Sequence, residues 1–220
     1  MDPGISFVDL AGFTALTEAH GDDEAADLVE RFVDIADEER ASTDRVVKSI
    51  GDAVLLHSLS AQASVDLASR VISRCASEPD FPLARGGVHA GPVVERGSDV
   101  FGATVNLAAR IASQAHGGQL LVSETVREQL TDPARPVVDL GEFEFRNVSA
   151  PVHLFEVSLG LDGGCGGIDP VCRMRVERDR AGGRLRYDGT DYWLCSLACA
   201  ALFAANPAAY VDTTDRRTRP

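Results

Sequence analysis

Two aspartates stand at places where the chain changes direction. Asp9 lies near the end of the apolar run Ile5-Ser6-Phe7-Val8-Asp9-Leu10, and Asp52 lies at a Gly51-Asp52 step between two further apolar runs. Taken singly, each is an ordinary strand-end or turn residue. Brought together, two carboxylates repel unless a cation lies between them. Mg²⁺ held by carboxylates and substrate phosphates resolves that repulsion, and two such ions can activate an attacking oxygen and steady a leaving one. Ala11-Gly12-Phe13-Thr14 follows Asp9 closely and opens a helix, whose first N–H groups suit a phosphate.

Lys48, four residues before Asp52, is the only lysine in the chain. A lysine is a compact point charge on a flexible stem, where an arginine is a rigid fork. Asn106 and Arg110 are four apart and share a helix face, either toward a charged ligand or as a solvated stripe. Four of the five cysteines, Cys165, Cys172, Cys195 and Cys199, lie near the C-terminus. Cys195 and Cys199 fall one helical turn apart. In a reducing compartment such clustering points to metal or redox chemistry more than to structural disulfides. Three thiolates suit a soft ion such as Cu⁺ or Zn²⁺. A closed zinc site wants a fourth ligand, for which Cys165 and Asp169 are candidates. Cys75, alone on a helix, belongs to the core.

These residues need elements to position them. The chain has 220 residues, 45% of them hydrophobic, which is enough for one medium and one small domain. Its net charge of −13 argues against a nucleic-acid surface and against anionic membranes. There is no long apolar run and no signal-like N-terminus, so a cytoplasmic protein is expected. Ile5–Leu10 reads as a strand and is followed by one long helix bearing Leu28, Val29, Phe32, Ile35 and Ala36 on one face. Val46-Val47 and Ala53–Leu56 form a hairpin, and Ala61–Cys75 forms a second helix. Strands at Leu83–His89 and from Gly91 onward lead to a helix over Ala103–Gln114. Gln119–Val122 is a strand, Ser123 caps a short helix, and strands near Val137–Leu140, Glu142–Phe145 and Val152–Val157 close the domain. The early order is βαββαβ, a sheet with helices on one face. The expected division is a domain over 1–160, a glycine-rich linker over 161–167, a small module over 168–213 and a polar tail over 214–220.

Three segments taken together, Phe7–Thr14, Val47–Asp52 and Asp99–Arg110, resemble the class III nucleotidyl cyclase catalytic domain, the adenylate and guanylate cyclase family. Gly87–Val93 and Arg146–Val157 are lesser matches. The resemblance implies an α+β, ferredoxin-like βαββαβ cyclase homology domain that turns ATP into cyclic AMP and pyrophosphate. It makes Asp9 and Asp52, with the Leu10 backbone, ligands of two Mg²⁺ or Mn²⁺ ions, and Lys48 and Asp99 the adenine-reading pair. Asn106 would orient the ribose and Arg110 would stabilise the transition state. Gly12, Phe13 and Thr14 would bind phosphate, and Arg146 would contact the triphosphate. Since the family builds each site from two subunits, one chain with the full set implies a homodimer. Two rivals are a guanylate cyclase, which Lys48/Asp99 argues against, and a non-catalytic nucleotide or metal sensor, which the intact residue set argues against. The stretch from Asp52 to Asp99 is short for the family and the chain begins close to its first strand; both departures bear on activity without touching the site residues.

Asp169–Met174, Tyr187–Gly189, Tyr192–Cys199, Phe203 and Tyr210 resemble the YHS/TRASH metal-binding module, a small treble-clef-like fold. That resemblance makes Cys172, Cys195 and Cys199 ligands of Zn²⁺ or Cu⁺. Arg173 departs from the residue usual after the first cysteine and is expected to alter the turn.

Overall fold

The computed structural model describes residues 2–132, 135–161 and 167–211. The chain forms two compact units, one of Met1–Ala11, Leu28–Glu78 and Leu83–Leu161, the other of Gly12–Asp27, Pro79–Pro82 and Asp162–Pro220. Its first part runs β1 (Gly4–Leu10), α1 (Phe13–His20), α2 (Asp22–Glu39), β2 (Arg45–Ile50), β3 (Ala53–Ser58), α3 (Ala61–Ser77) and β4 (Ala84–Ala90). It continues through β5 (Val94–Arg96), β6 (Asp99–Phe101), α4 (Ala103–Ala112), β7 (Leu120–Ser123), α5 (Glu124–Arg127), β8 (Val137–Phe143) and β9 (Val152–Val157).

In the first unit a seven-stranded sheet has the order β2-β3-β1-β4-β7-β9-β8. The first four strands are mutually antiparallel and reproduce the βαββαβ order, while β4 and β7 pair in parallel. Ser60 caps α3 by accepting a hydrogen bond from the Ala63 N–H. Arg70 of α3 donates to the Glu39 carbonyl at the end of α2, and Arg31 of α2 bridges to Glu78. These two helices therefore lie side by side, as expected.

Helix α4 departs from the one-face expectation. A side chain on Gly86 would meet Ile72 of α3, whereas one on the next residue, Gly87, would lie 2.7 Å from the Ala112 Cα of α4. Successive residues of a strand face opposite sides, so α4 covers the face that α3 does not. Its Val105 and Ala108 pack with Ile5, Leu55 and Val100, and its Ile111 with Leu121, Phe145 and Leu154.

Two further expectations change. The long first helix is broken at Gly21, whose φ of 89° and ψ of 167° leave the helical region while its N–H still bonds the Thr17 carbonyl. The strands expected at Val137–Leu140 and Glu142–Phe145 are one strand, β8, irregular between Asp139 and Gly141, where Gly141 has φ 83°.

The second unit holds β10 (Gly167–Ile168), β11 (Arg175–Val176), the hairpin β12 (Gly183–Tyr187) and β13 (Thr190–Leu194), α6 (Leu197–Ala205) and α7 (Pro207–Tyr210). Strands β10 and β11 pair around a turn that carries Cys172. Knuckle, hairpin and helix follow the treble-clef-like order. Gly167, expected in the linker, sits in β10; 162–166 and the tail 214–220 lie outside the described residues. Phe203 is buried among Tyr187, Tyr192 and Tyr210. Cys75 is fully buried in α3, and burial pushes its thiol up to about 12. Among the described residues no helix is long and apolar enough to cross a membrane.

Candidate active site and metal centre

Asp9 reaches its place through sheet register. It pairs with Ala53 on one side and Arg85 on the other, and the Leu10 N–H bonds the Asp52 carbonyl at 3.2 Å. The two aspartates thus meet at one end of neighbouring strands. Burial pushes the Asp9 carboxyl up, Arg85 pulls it down, and the negative charge of Asp52 adds to the rise. Arg85 grips Asp9 with two bonds, Nε to Oδ1 at 2.7 Å and Nη2 to Oδ2 at 3.2 Å, and also donates to the Ala115 carbonyl. A half-buried carboxylate pair faced by the Arg85 guanidinium is a hard-oxygen donor set that fits a divalent cation. Arg85 escaped sequence reasoning, because its partner lies 76 residues away. The one available signal was its place in a strand bordering the Asp9 strand.

Lys48 projects from β2, and its Nζ lies 2.6 Å from Asp99 Oδ2 at the start of β6. Asp99 Oδ1 accepts from the Val100 N–H, and the bond from Lys48 holds the carboxyl below its ordinary range. The ammonium also sits 5.5 Å from the centre of the Phe101 ring. The Lys48 and Asp99 side chains stay 39% and 29% exposed, open enough to receive a ligand. Asn106 and Arg110 lie one turn apart on α4, Asn106 exposed and Arg110 half-buried. Arg146 is exposed in the turn after β8.

Gly12, Phe13 and Thr14 begin α1 and belong to the second unit. Gly12 has φ 74°, and a Cβ there would meet the Arg173 side chain at 3.0 Å. Only glycine takes both the backbone and the space without strain.

In the second unit four soft donors converge. Cys172, Cys195 and Cys199 are joined by His20, the last residue of α1, with all four ligand atoms within 4.8 Å of one another. The thiols are free. Cys172 Sγ lies 3.4 Å from Cys195 Sγ, and Cys195 Sγ lies 3.6 Å from Cys199 Sγ. Hydrogen bonding to Cys195 pushes the Cys172 thiol up, while bonds from Cys172 and Cys195 pull Cys199 down. Asp169 is fully buried and serves as a backbone organiser. Its oxygens accept from the N–H groups of Val171, Cys172 and Cys195 at 2.7, 3.4 and 2.7 Å. Arg173 follows with φ 62°, a left-handed turn that non-glycine residues adopt at a cost of about 1 kcal/mol or more. Cys165 lies outside the described residues.

Residues 2–155 match the adenylate and guanylate cyclase catalytic domain model, and residues 168–214 match the YHS domain model. A Mycobacterium tuberculosis protein named a pH-sensitive adenylate cyclase is 34% identical over 162 residues, which is 71% of this chain and 40% of that protein. A Streptomyces coelicolor adenylate cyclase is 38% identical over 127 residues, 57% of this chain and 33% of that one. The chain thus spans 40% or less of the length of these curated relatives. Among solved structures, an adenylate/guanylate cyclase/hydrolase from Silicibacter pomeroyi superposes with a TM-score of 0.59 at 25% identity, covering 71% of this chain and 96% of that one. A Trypanosoma brucei adenylate cyclase analysed in its monomeric state gives 0.65 at 22% identity, over 73% and 90%, a likeness of fold.

Proposed function

The chain belongs to the adenylate and guanylate cyclase catalytic-domain family, and from that premise we propose that it converts ATP to 3′,5′-cyclic AMP and pyrophosphate. The observation that carries this reading is the Lys48–Asp99 pair, a donor and an acceptor 2.6 Å apart. Adenine offers an acceptor at N1 and a donor at its N6 amine, which an ammonium and a carboxylate match. Guanine offers a carbonyl and an N1–H, the reverse pattern, and would leave both protein groups unpaired.

The remaining roles follow from the residues' chemistry. Asp9, Asp52 and the Leu10 carbonyl would hold two Mg²⁺ or Mn²⁺ ions. When bound, these ions acidify the ribose 3′-hydroxyl and neutralise phosphate charge. Arg85 offsets part of what burial costs the Asp9 charge and keeps the carboxylate aimed until a cation competes for it. Asn106 orients the ribose, and Arg110 meets the charge that develops on the α-phosphate. The amides of Gly12, Phe13 and Thr14 and the guanidinium of Arg146 receive the triphosphate.

The enzyme works as a homodimer with two composite sites. Exposed Ile50 and Phe101, on the strands that carry Lys48 and Asp99, and exposed Val94, on β5 paired with β6, give a partner apolar surface to cover. By family the chain divides into a cyclase domain over 1–160, a linker over 161–167, a metal-binding module over 168–213 and a tail over 214–220. The module binds Zn²⁺ or Cu⁺ and regulates the cyclase. A cytoplasmic setting, where thiols stay reduced, is the reading that the clustered free cysteines support.

Purified chain with Mg²⁺ or Mn²⁺ and either ATP or GTP, assayed for cyclic product, tests the activity. Cyclic GMP as the main product, or no product with either nucleotide, overturns it. Asp9→Ala and Arg110→Ala should each be nearly inactive, and mixing them should restore part of the activity. A dead mixture in which heterodimers demonstrably form would refute the shared site.

A further inference from the structure

His20 lies in the stretch that matches the cyclase family, yet its ring closes the cysteine cluster of the C-terminal module. Its Nε2 lies 3.5 Å from Cys195 Sγ and 3.7 Å from Cys199 Sγ. A zinc ion in a regular tetrahedron, with Zn–S of about 2.3 Å and Zn–N of about 2.0 Å, requires S···S edges of about 3.8 Å and S···N edges of about 3.5 Å. Four of the six edges, 3.4 and 3.6 Å between sulfurs and 3.5 and 3.7 Å from nitrogen to sulfur, fall close to that frame, and all four ligand atoms lie within 4.8 Å of one another. A disulfide would need about 2.0 Å between sulfurs.

The other ring nitrogen supplies an independent observation. His20 Nδ1 lies 3.2 Å from Glu24 Oε1, and the His20 side chain is only 10% exposed. A histidine that binds a metal through one nitrogen usually donates its other N–H to a carboxylate, which fixes the tautomer and the ring plane. Glu24 does this from the first turn of α2, four residues after His20. Cys172, by contrast, is fixed by the Asp169 turn, and Cys199 by the Ser196 cap of α6. The donors thus come from three separate backbone frames, with their soft atoms turned inward.

We propose that His20 is the fourth ligand of a tetrahedral Cys₃His zinc site, positioned by Glu24, so that the ion ties helix α1 to the cysteine module. The set selects Zn²⁺ over Cu⁺, since four converging donors with one imidazole among them suit the divalent ion. The consequence for catalysis rests on the cyclase reading above. Helix α1 begins at the Gly12–Thr14 segment, directly after Asp9 and Leu10, so the ion at its far end restrains the segment assigned to the phosphates.

The test uses the full chain with Zn²⁺, and with Co²⁺ as a spectroscopic probe. Wild type should bind one ion per chain and give the visible Co²⁺ bands of a tetrahedral thiolate site. His20→Ala should weaken binding by about 10-fold or more and change those bands, and Glu24→Gln should weaken it by about 10–100-fold. His20→Cys should restore four-coordinate binding with stronger sulfur-to-cobalt charge transfer, which separates ligation from misfolding. Wild type that binds no Zn²⁺, or His20→Ala with unchanged affinity and bands, overturns the site. Hydrogen exchange should show the α1 amides protected by Zn²⁺ in wild type and unprotected in His20→Ala; equal exchange with and without the ion overturns the tie. A chain that passes these tests yet makes no cyclic nucleotide refutes the cyclase reading alone. A cyclase whose KM for ATP ignores the ion refutes only the catalytic consequence.

Discussion

Reversing the polarity of the base-reading pair puts the cyclase reading at greatest risk. In the double variant Lys48→Glu/Asp99→Ser, the residue on β2 becomes an acceptor for the guanine N1–H and amine, and the residue on β6 can donate to the guanine carbonyl. The free protein should tolerate the change. Lys48 and Asp99 are 39% and 29% exposed, so solvent screens their attraction, and the melting midpoint should stay close to that of wild type. With nucleotide bound, the closing site removes that screening. Each mismatched polar group then weakens binding by about one to two orders of magnitude. Two mismatches acting together should move the ATP-to-GTP ratio of kcat/KM by about 10²–10⁴-fold toward GTP. The assay is initial-rate formation of cyclic AMP and cyclic GMP over a range of each nucleotide, with thermal melts in parallel. A folded variant that keeps the wild-type preference for ATP would refute the role of the pair, and with it the choice of adenine.

Three other outcomes follow from the packing and electrostatics. Gly87→Ala should destabilise the first unit by about 1–3 kcal/mol, because its methyl group would press on the α4 backbone; an unchanged urea midpoint would contradict the tight contact. Cys75, with its thiol pushed up to about 12, should resist iodoacetamide at pH 8 in the native protein and react on unfolding; fast native labelling would contradict its burial. His153 Nε2 lies 2.6 Å from Asp139, which raises the imidazole above its ordinary 6.5 and lowers the carboxyl below 3.8. The His153 contribution is therefore full below pH 6.5 and fades as pH rises through its elevated value, and that of Asp139 is present above 3.8 and lost as pH falls. An NMR titration should find a His153 midpoint above 6.5 that drops in Asp139→Asn; equal midpoints would show that the pair does not form in solution.

The sequence by itself determined what short spacing controls. Cys195 and Cys199 share a helix face, Asn106 and Arg110 share another, and Lys48 leads into the Asp52 turn, because helical and strand periods act over a few residues. The order of strands and helices along the chain and the burial of Cys75 were legible for the same reason, whereas Ser123, expected to cap a short helix, begins α5 without a side-chain cap bond. The pairing of Lys48 with Asp99 was reached through likeness to a family, since 51 residues separate them. Tertiary structure alone decided the rest. Arg85 faces Asp9 because of the register between β1 and β4, where a slip of one residue would turn every side chain to the other face. Helix α4 covers the face opposite α3 because Gly86 and Gly87 point opposite ways. His20 meets Cys195 across 175 residues because Gly21 ends α1 there and the module presents its cysteines to that helix end. No local pattern marks such a histidine. Its role is fixed by where two distant backbone segments pack, and that packing is a property of the whole folded chain.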